Sequence, residues 1–191
     1  MNKFFCIGVF RSGTSSTRKY LESMGMKAVD WSVIASNYRN YPHNMGPVYQ
    51  TLRDHDVFGD IPYNYIEFID RMIREYPNAL FFLSTRNESD WMESIKRHRA
   101  VRIEGVSNLI TKDTLEKVGV TGNSDEDMKK SYVARNDKVV CIFERRGASD
   151  RLCTFSIDSG DMKSKIDDFL LGRGLVLGKS VDHFPWAEKT T

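Results

Sequence analysis

Cysteine is scarce in this sequence, and the few cysteines do not form a recognisable pattern. Cys6, Cys141 and Cys153 are an odd number, and no two of them form a CxxC pair. This spacing argues against a disulfide framework and against a zinc site of the CxxC type. The sequence therefore predicts a protein of a reducing compartment that requires no metal.

An excess of one charge is also absent, and so is a long apolar run. The 28 basic and 26 acidic side chains leave a formal net charge of +2, which argues against nucleic acid as a partner. The N-terminal apolar run ends before Arg11, which is too short for a signal peptide. Roughly 20 apolar residues are needed to cross a bilayer, and no stretch approaches that length. We therefore expect a cytoplasmic protein without a membrane partner.

Length and patterning predict a single α/β domain over residues 1–191. With 40% hydrophobic residues, the chain is long enough for one core and too short for two ordinary domains. Apolar runs alternate with stretches of helical spacing, which is typical of a three-layer sandwich around a mainly parallel sheet of about four to five strands. The predicted strands are residues 3–9, 57–59, 79–85 and 152–157.

Helical spacing and loop-forming residues divide the rest of the chain. The predicted helices are residues 14–24, 63–76, 88–101, 126–146 and 161–171. Residues 30–47 are rich in Trp, Tyr, Asn, His and Pro without a clean period, so we expect an irregular segment with at most one short helix. Residues 105–127 are polar and predict a mobile loop. The aromatic tail at residues 182–186 is expected to pack back onto the domain.

The most informative segment is G-V-F-R-S-G-T-S-S at residues 8–16, where a buried strand turns into a helix. Backbone N–H groups and the helix dipole converge on an anion at such a position. Gly8 and Gly13 allow a tight backbone, while Arg11 offers a charged, bidentate clamp. We predict a phosphate-binding loop whose candidate ligands are Arg11, Ser12, Gly13, Thr14, Ser15 and Ser16.

The spacing of the two glycines resembles a nucleoside-triphosphate P-loop, with one difference. That motif continues with lysine and then Ser or Thr, whereas this chain has Thr14 and Ser15. No Walker-B carboxylate is obvious after an apolar strand. The segment is either a phosphate loop of another kind or a turn whose serines cap the helix. A nucleotide kinase with a degenerate loop stays an alternative.

A second motif, T-R-N-E-S-D-W-M-E-S, follows the third predicted strand. Arg86 stands at the carboxyl edge of that strand, and Ser94 lies two turns into the next helix. Both side chains are therefore predicted to reach one anion beside the phosphate loop. Alternatively, Arg86 pairs with Glu88 or Asp90, and Trp91 is an ordinary core residue.

The two motifs together resemble the sulfotransferases that use 3'-phosphoadenosine 5'-phosphosulfate (PAPS). In that family an arginine after this strand and a serine eight residues later bind the 3'-phosphate, with a tryptophan between them; Arg86, Trp91 and Ser94 match. Further similarity lies in G-D-I-P at residues 59–62 and Y-P-N-A-L-F-F-L-S-T-R-N at residues 76–87. The resemblance implies a P-loop-like fold, PAPS as co-substrate and sulfuryl transfer to a hydroxyl or amine.

The same resemblance implies that Arg11 stabilises the leaving phosphate, at a position where family members more often have lysine. Asp60 follows the second strand at the carboxyl edge, where α/β sheets bind their ligands, so it is the leading candidate for the general base. It is equally suited to cap a helix near Tyr63. The other candidate bases are His43, His55 and His98.

The acceptor and the partners stay open at this stage. One group of aromatic residues either forms an apolar pocket for a small molecule or packs as a lid: Trp31, Tyr38, Tyr41 and Tyr49. A saccharide acceptor is also compatible with the sequence. The basic run at residues 96–99, with Arg102, is either a solvated surface or attracts the anionic donor or an acidic acceptor. The resemblance to the family implies that the basic turn at residues 145–147 reaches the 3'-phosphate. An inactive nucleotide-binding protein and a homo-oligomer are compatible too.

Overall fold

The sheet consists of four parallel strands in the order β2-β1-β3-β4. They are β1 (Phe4–Cys6), β2 (Val57–Gly59), β3 (Leu80–Thr85) and β4 (Leu152–Ser156). The structure is a computed structural model that describes residues 2–100, 110–175 and 184. Phe5 is in register with Phe58 on one side and Phe81 on the other. The predicted α/β fold with a parallel sheet is confirmed.

Strand β1 is shorter than the predicted run because the chain leaves the sheet after Cys6. All its residues are buried, as expected of a strand covered on both faces. The Ile7 N–H still bonds to the Phe82 carbonyl at 2.9 Å, but the Ile7 carbonyl accepts a hydrogen bond from Arg135 at 2.8 Å. The ladder therefore ends where the predicted phosphate loop begins.

Eight α-helices lie in the described part of the chain. They are α1 (Thr14–Ser23), α2 (Trp31–Asn40), α3 (Gly46–Asp54), α4 (Ile66–Glu75), α5 (Glu88–Ala100), α6 (Lys112–Lys117), α7 (Asp125–Arg145) and α8 (Met162–Leu171). A short 3-10 helix, Ser149–Arg151, precedes β4. Helices α6 and α7 begin with capping boxes, in which Thr111 and Ser124 are the N-cap residues.

Helices cover both faces of the sheet, which gives the three predicted layers. On one face, Phe82 belongs to a buried cluster with Tyr20 of α1 and Ile166 of α8. On the other face, Phe81 packs against Phe143 of α7, with ring centroids 5.0 Å apart. Helices α2 to α5 contribute to this second, larger cluster. The predicted three-layer arrangement is therefore confirmed.

The prediction of an irregular segment at residues 30–47 is wrong in extent, because residues 31–40 form α2 and α3 begins at Gly46, which leaves residues 41–45 irregular. Both polar and apolar tertiary contacts hold α2 in place. Ile34 is buried, and the Asn37 amide donates to the hydroxyls of Thr51 and Tyr63 at 3.0 and 2.8 Å. A buried asparagine does not contribute to an apolar period, so the sequence pattern missed this helix.

Two other boundaries also differ from the predictions. The polar stretch at residues 105–127 contains α6, which its capping box stabilises. The predicted mobility of residues 105–109 lies outside the described residues. Helix α4 begins at Ile66 because the N–H groups of Asn64 and Tyr65 bond to the carbonyls of Asp60 and Pro62 in a preceding turn.

The predicted packing of the aromatic tail is confirmed at Phe184, whose ring centroid lies 5.2 Å from that of Tyr20. The neighbouring tail residues lie outside the described part of the chain. Among the described helices, none combines the length and the apolar character needed to span a membrane.

Candidate active site

Because all four strands are parallel, the segments that follow them meet at one edge of the sheet. These segments are residues 7–13 after β1, 60–65 after β2, 86–87 after β3 and 157–161 after β4. The carboxyl edge is where α/β sheets bind their ligands. The structure therefore places the two sequence motifs and Asp60 at one potential ligand site.

The loop after β1 is held by its own hydrogen bonds and leaves the start of α1 open. The Ser12 hydroxyl and N–H both donate to the Val9 carbonyl, at 2.7 and 3.1 Å. Gly13, with φ of 102°, is the N-cap residue of α1, and no side chain caps this helix. The first turn of α1 carries no acidic residue. The N–H groups of this first turn therefore have the arrangement found at helix starts that bind anions.

Close packing explains both glycines of the loop. A Cβ on Gly8 would lie 2.4 Å from the Ser12 hydroxyl oxygen and 2.5 Å from that of Ser84. On Gly13 it would lie 2.4 Å from Cγ2 of Ile157, in addition to the strain of the positive φ. Any larger residue would displace the loop from β3 or β4.

The two predicted catalytic residues both have a left-handed backbone conformation. Within the described residues, the non-glycine residues with positive φ are Arg11, at 66°, and Asp60, at 59°. Such conformations are rare outside glycine and concentrate at functional sites, where the surrounding structure enforces them. Arg11 donates from Nε to the Ser94 hydroxyl at 3.1 Å. This bond joins the phosphate loop to the second motif.

Asp60 is buried beside the loop. Its Oδ1 accepts a hydrogen bond from the Thr14 hydroxyl at 3.1 Å, and only 7% of the residue is exposed. The alternative role as a helix cap is wrong, because Tyr65 is the N-cap residue of α4. A carboxylate in contact with the first residue of α1 is well placed to accept a proton from a group that reacts at the loop.

The three candidate histidines lie in different parts of the fold. His55 precedes β2 at the amino edge of the sheet, and its Nδ1 is 3.3 Å from the Thr51 carbonyl oxygen. His43 is exposed in the turn after α2. His98 is in α5, one turn beyond Ser94. Among the candidate bases, Asp60 lies beside the loop, whereas His55 lies at the opposite edge of the sheet.

Arg86 follows β3 as predicted, but its partner is not one of the expected carboxylates. Its Nε lies 3.7 Å from Oδ1 of Asp158, rather than beside Glu88 or Asp90. The same Nε is buried and has no hydrogen-bond partner among the described residues. The hydrogen bond to Ser94 comes from Arg11 rather than from Arg86. A buried guanidinium nitrogen without an acceptor is suited to bind an added anion.

Trp91 connects the two motifs. It is fully buried, and its indole N–H donates to the Phe10 carbonyl of the loop at 2.9 Å. Its ring stacks on Tyr132 with centroids 4.3 Å apart. The Tyr132 hydroxyl oxygen in turn accepts from the Arg86 N–H at 2.9 Å. Trp91 is therefore a core residue that also fixes the spacing between the motifs.

The sequence did not identify several residues that support this site. Tyr132 and Arg135 of α7 bind its backbone, and Asn64 donates to the Gly8 carbonyl at 3.3 Å. No local pattern marks these residues, since their contacts span long sequence distances. Asp158 had a signal: like Asp60, it is a carboxylate that follows a strand at the carboxyl edge.

The basic runs are engaged in other contacts. Lys96 pairs with Asp125 and Glu93, which supports the solvated interpretation of that run; Arg102 lies outside the described residues. Arg146 forms a bidentate pair with Asp70 at 2.8 and 2.9 Å. It stands before β4, at the amino edge of the sheet, so the suggestion that this run reaches the 3'-phosphate is wrong.

No metal cluster is found in the described residues, and the buried thiol of Cys6 is not a reactive one. No group of three or more His, Cys, Asp or Glu side chains there could hold a metal ion. Burial is the main cause that raises the pKa of the Cys6 thiol, with smaller and opposite effects from Arg18 and Asp60. Cys6 is therefore a neutral core residue at physiological pH.

The comparison with known families agrees with this geometry. A family model described as a sulfotransferase domain matches residues 3–161, which include all four strands and every candidate site residue. No curated protein sequence gives a significant match. The family match supports sulfotransferase activity in general. Because it spans most of the chain, this protein belongs to the sulfotransferase family.

Proposed function

We propose that this protein transfers the sulfuryl group of PAPS to a hydroxyl or amine acceptor. The observation that carries the proposal is the direct contact of the two motifs through the Arg11–Ser94 hydrogen bond at 3.1 Å. PAPS carries a 5'-phosphosulfate and a 3'-phosphate on one ribose, so its binding requires two anion subsites side by side. The loop after β1 and the turn after β3 supply them.

Residues of the loop suit the 5'-phosphosulfate. The N–H groups at the start of α1 and the side chains of Arg11, Ser15 and Ser16 offer donors without an acidic residue in the same turn. The hydroxyls of Ser12 and Thr14 already donate to Val9 and Asp60, so these residues contribute to the site through their N–H groups. Residues of the second motif suit the 3'-phosphate. Arg86 provides the buried Nε that has no hydrogen-bond acceptor, and Ser94 provides the hydroxyl that accepts from Arg11.

The reaction follows from these assignments. The acceptor oxygen or nitrogen attacks sulfur in line with the bridging oxygen, and the S–O bond to the phosphate breaks. Arg11 stabilises the charge that develops on the departing phosphate, as a permanent cation that supplies no proton. Asp60 receives the acceptor's proton. The products are the sulfated acceptor and adenosine 3',5'-bisphosphate.

The acceptor approaches from the β2 side in this proposal, because Asp60 follows β2. Tyr38, Tyr41 and Tyr49 are partly buried against the core, and the Tyr49 hydroxyl donates to Glu75 at 2.9 Å. Those contacts favour lid packing over an open aromatic pocket. Trp31 is 43% exposed, which leaves its ring accessible to a small or saccharide acceptor.

A turnover assay tests the proposal. The protein is incubated with PAPS labelled in its sulfuryl group and with phenols, alcohols, saccharides or amines, and bisphosphate release is measured with transfer of label. Arg11→Ala is expected to lower kcat about a hundredfold, and Asp60→Asn by a similar factor. Arg11→Lys keeps the charge and is expected to retain more activity, while exposed Arg53→Ala is the control.

The outcomes separate the remaining alternatives. Acceptor-dependent release that Arg11→Ala abolishes supports the proposal. Tight bisphosphate binding without transfer to any acceptor class would identify a nucleotide-binding protein that has lost turnover. Phosphoryl transfer from ATP would instead identify a kinase.

A further inference from the structure

Arg135 of α7 is a buried arginine whose partners in the described part of the chain are neutral oxygen atoms. Only 2% of it is exposed. Its NH2 donates to the Ile7 and Asn64 carbonyls, both at 2.8 Å, its Nε to the Val118 carbonyl at 3.1 Å, and its NH1 to the Asn136 Oδ1 at 3.3 Å. Within the described residues, no carboxylate forms an ion pair with it. Neutral oxygen atoms therefore accept the hydrogen bonds of this guanidinium, but no negative charge among the described residues pairs with it.

A buried charge of this kind is unusual. Ionised side chains in a core are normally paired, because their desolvation is unfavourable. Burial lowers the pKa of Arg135 to about 10, so the group is still cationic at neutral pH. An apolar side chain could fill the same space in the core. The positive charge of Arg135 therefore points to a function of that charge at a neighbouring site.

The contacts of Arg135 lie directly beneath the phosphate loop. Its partner Ile7 immediately precedes Gly8, and a planar trans peptide that is fixed at the Ile7 carbonyl also fixes the direction of the Gly8 N–H. The Gly8 carbonyl accepts from the Asn64 side chain at 3.3 Å, and Arg135 binds the Asn64 carbonyl. Arg135 thus holds both peptide groups that flank Gly8, one directly and one through Asn64.

The same helix holds the other anion subsite. Tyr132 lies one turn before Arg135 and accepts from the Arg86 N–H at 2.9 Å, while its ring stacks on Trp91. Residues three apart on a helix share one face. One face of α7 therefore contacts the backbone of both subsites.

We propose that Arg135 is a positioning residue of the donor site: it fixes the start of the phosphate loop and places an uncompensated positive charge beneath the 5'-phosphosulfate. This inference rests on the proposed function, in which that anion is the phosphosulfate of PAPS. It assigns Arg135 no contact with the donor. Its influence is exerted through the Ile7–Gly8 peptide and through the electrostatic field of the buried guanidinium.

A matched arginine distinguishes positioning from packing. Arg151 also donates to backbone carbonyls, those of Ile73, Tyr76 and Pro77, each at 3.0 Å. It stands in the 3-10 helix before β4, at the amino edge of the sheet and away from the loop. Arg151→Met therefore removes a comparable set of structural bonds without affecting the donor site.

The experiment measures nucleotide affinities by calorimetry for three variants, Arg135→Met, Arg135→Lys and Arg151→Met. The nucleotides are adenosine 3',5'-bisphosphate, adenosine 5'-phosphate and adenosine 3'-phosphate. Thermal unfolding reports the stability of each variant. Arg135→Met is expected to weaken binding of the bisphosphate and the 5'-phosphate about tenfold or more, and to affect the 3'-phosphate much less. Arg135→Lys keeps the charge but not the rigid fork, so it is expected to recover part of the loss. Arg151→Met is expected to lower stability without changing any affinity beyond about twofold.

Each result has a clear meaning. Wild-type affinities in folded Arg135→Met, or equal losses for the 5'- and 3'-phosphates, would overturn the positioning role while leaving the donor assignment intact. Should Arg135→Met not fold, Arg135→Lys decides, since an unchanged 5'-phosphate affinity would also overturn it. If the wild type binds none of the three nucleotides, the proposed function itself fails, and this inference with it.

Discussion

Two carboxylates beside the proposed donor site contact different parts of it. Asp60 contacts the first residue of α1 and has a left-handed backbone, which suits a group that acts on the acceptor. Asp158 lies 3.7 Å from the Arg86 guanidinium and also accepts from the Asn87 N–H at 2.7 Å. It therefore occupies the position of an anion at Arg86, and a 3'-phosphate must compete with it.

Asp158→Asn is expected to increase the affinity for adenosine 3',5'-bisphosphate by roughly threefold to tenfold, which is about 1 kcal/mol. The substitution removes a negative charge near the incoming phosphate and keeps an oxygen for the Asn87 N–H. Calorimetric titration measures the change. Asp150→Asn removes the same charge at the opposite end of β4, where Asp150 pairs with Arg173, and serves as the control. Weaker binding by Asp158→Asn would show that Asp158 helps to form the site.

At the scale of elements, α7 organises the layer that carries the second motif. Its N-terminal half contacts the site through Tyr132 and Arg135, and its C-terminal end is joined to α4 by the Arg146–Asp70 pair. The groove beside these helices, about 550 Å³ in volume, is lined by charged residues such as Arg71 and Arg145 and by apolar residues such as Ile142. The pair therefore stabilises a part of the fold that is remote from the proposed chemistry.

Asp70→Asn tests that pair through its pH dependence. The Arg146 hydrogen bonds are the main cause that lowers the pKa of the Asp70 carboxyl. A carboxyl with a lowered pKa stabilises the folded state above its ordinary value of about 3.9, and the stabilisation is lost as pH falls through the lowered value. We expect Asp70→Asn to reduce the free energy of unfolding by about 0.5 to 1 kcal/mol at pH 7, and by less as the pH falls below about 4.

Denaturant unfolding at several pH values measures this difference. Glu116→Gln, which removes an exposed pair with Lys112 on α6, is expected to change stability little at any pH. A constant effect of Asp70→Asn from pH 7 to pH 2.5 would show that the charge of Asp70 contributes nothing.

At the scale of the molecule, local signals predicted the strands and the ligand edge, while long-range contacts determined the rest. The apolar runs and the glycine turn identified β1 and the loop. A strand buried on both faces requires consecutive apolar residues, and a tight backbone requires glycine, so both features are visible in the local sequence. Helix α2 was missed because Asn37 holds it through buried hydrogen bonds. Arg135 was missed as a site residue because its partner Ile7 is distant in sequence. Predicting Asp158 as the partner of Arg86 would have required the strand order, which places β4 next to β3.

The central claim is that the two motifs form one site for a nucleotide with phosphates at the 3' and 5' positions. Calorimetric titration with adenosine 3',5'-bisphosphate, beside ATP with Mg²⁺, tests it on the wild type, on Arg86→Ala and on exposed Arg74→Ala. We predict micromolar binding of the bisphosphate that Arg86→Ala weakens about tenfold to a hundredfold, since a charged hydrogen bond contributes about 1.5 to 3 kcal/mol, with no change in Arg74→Ala. Tight, Mg²⁺-dependent binding of ATP without a response to the bisphosphate would contradict the account.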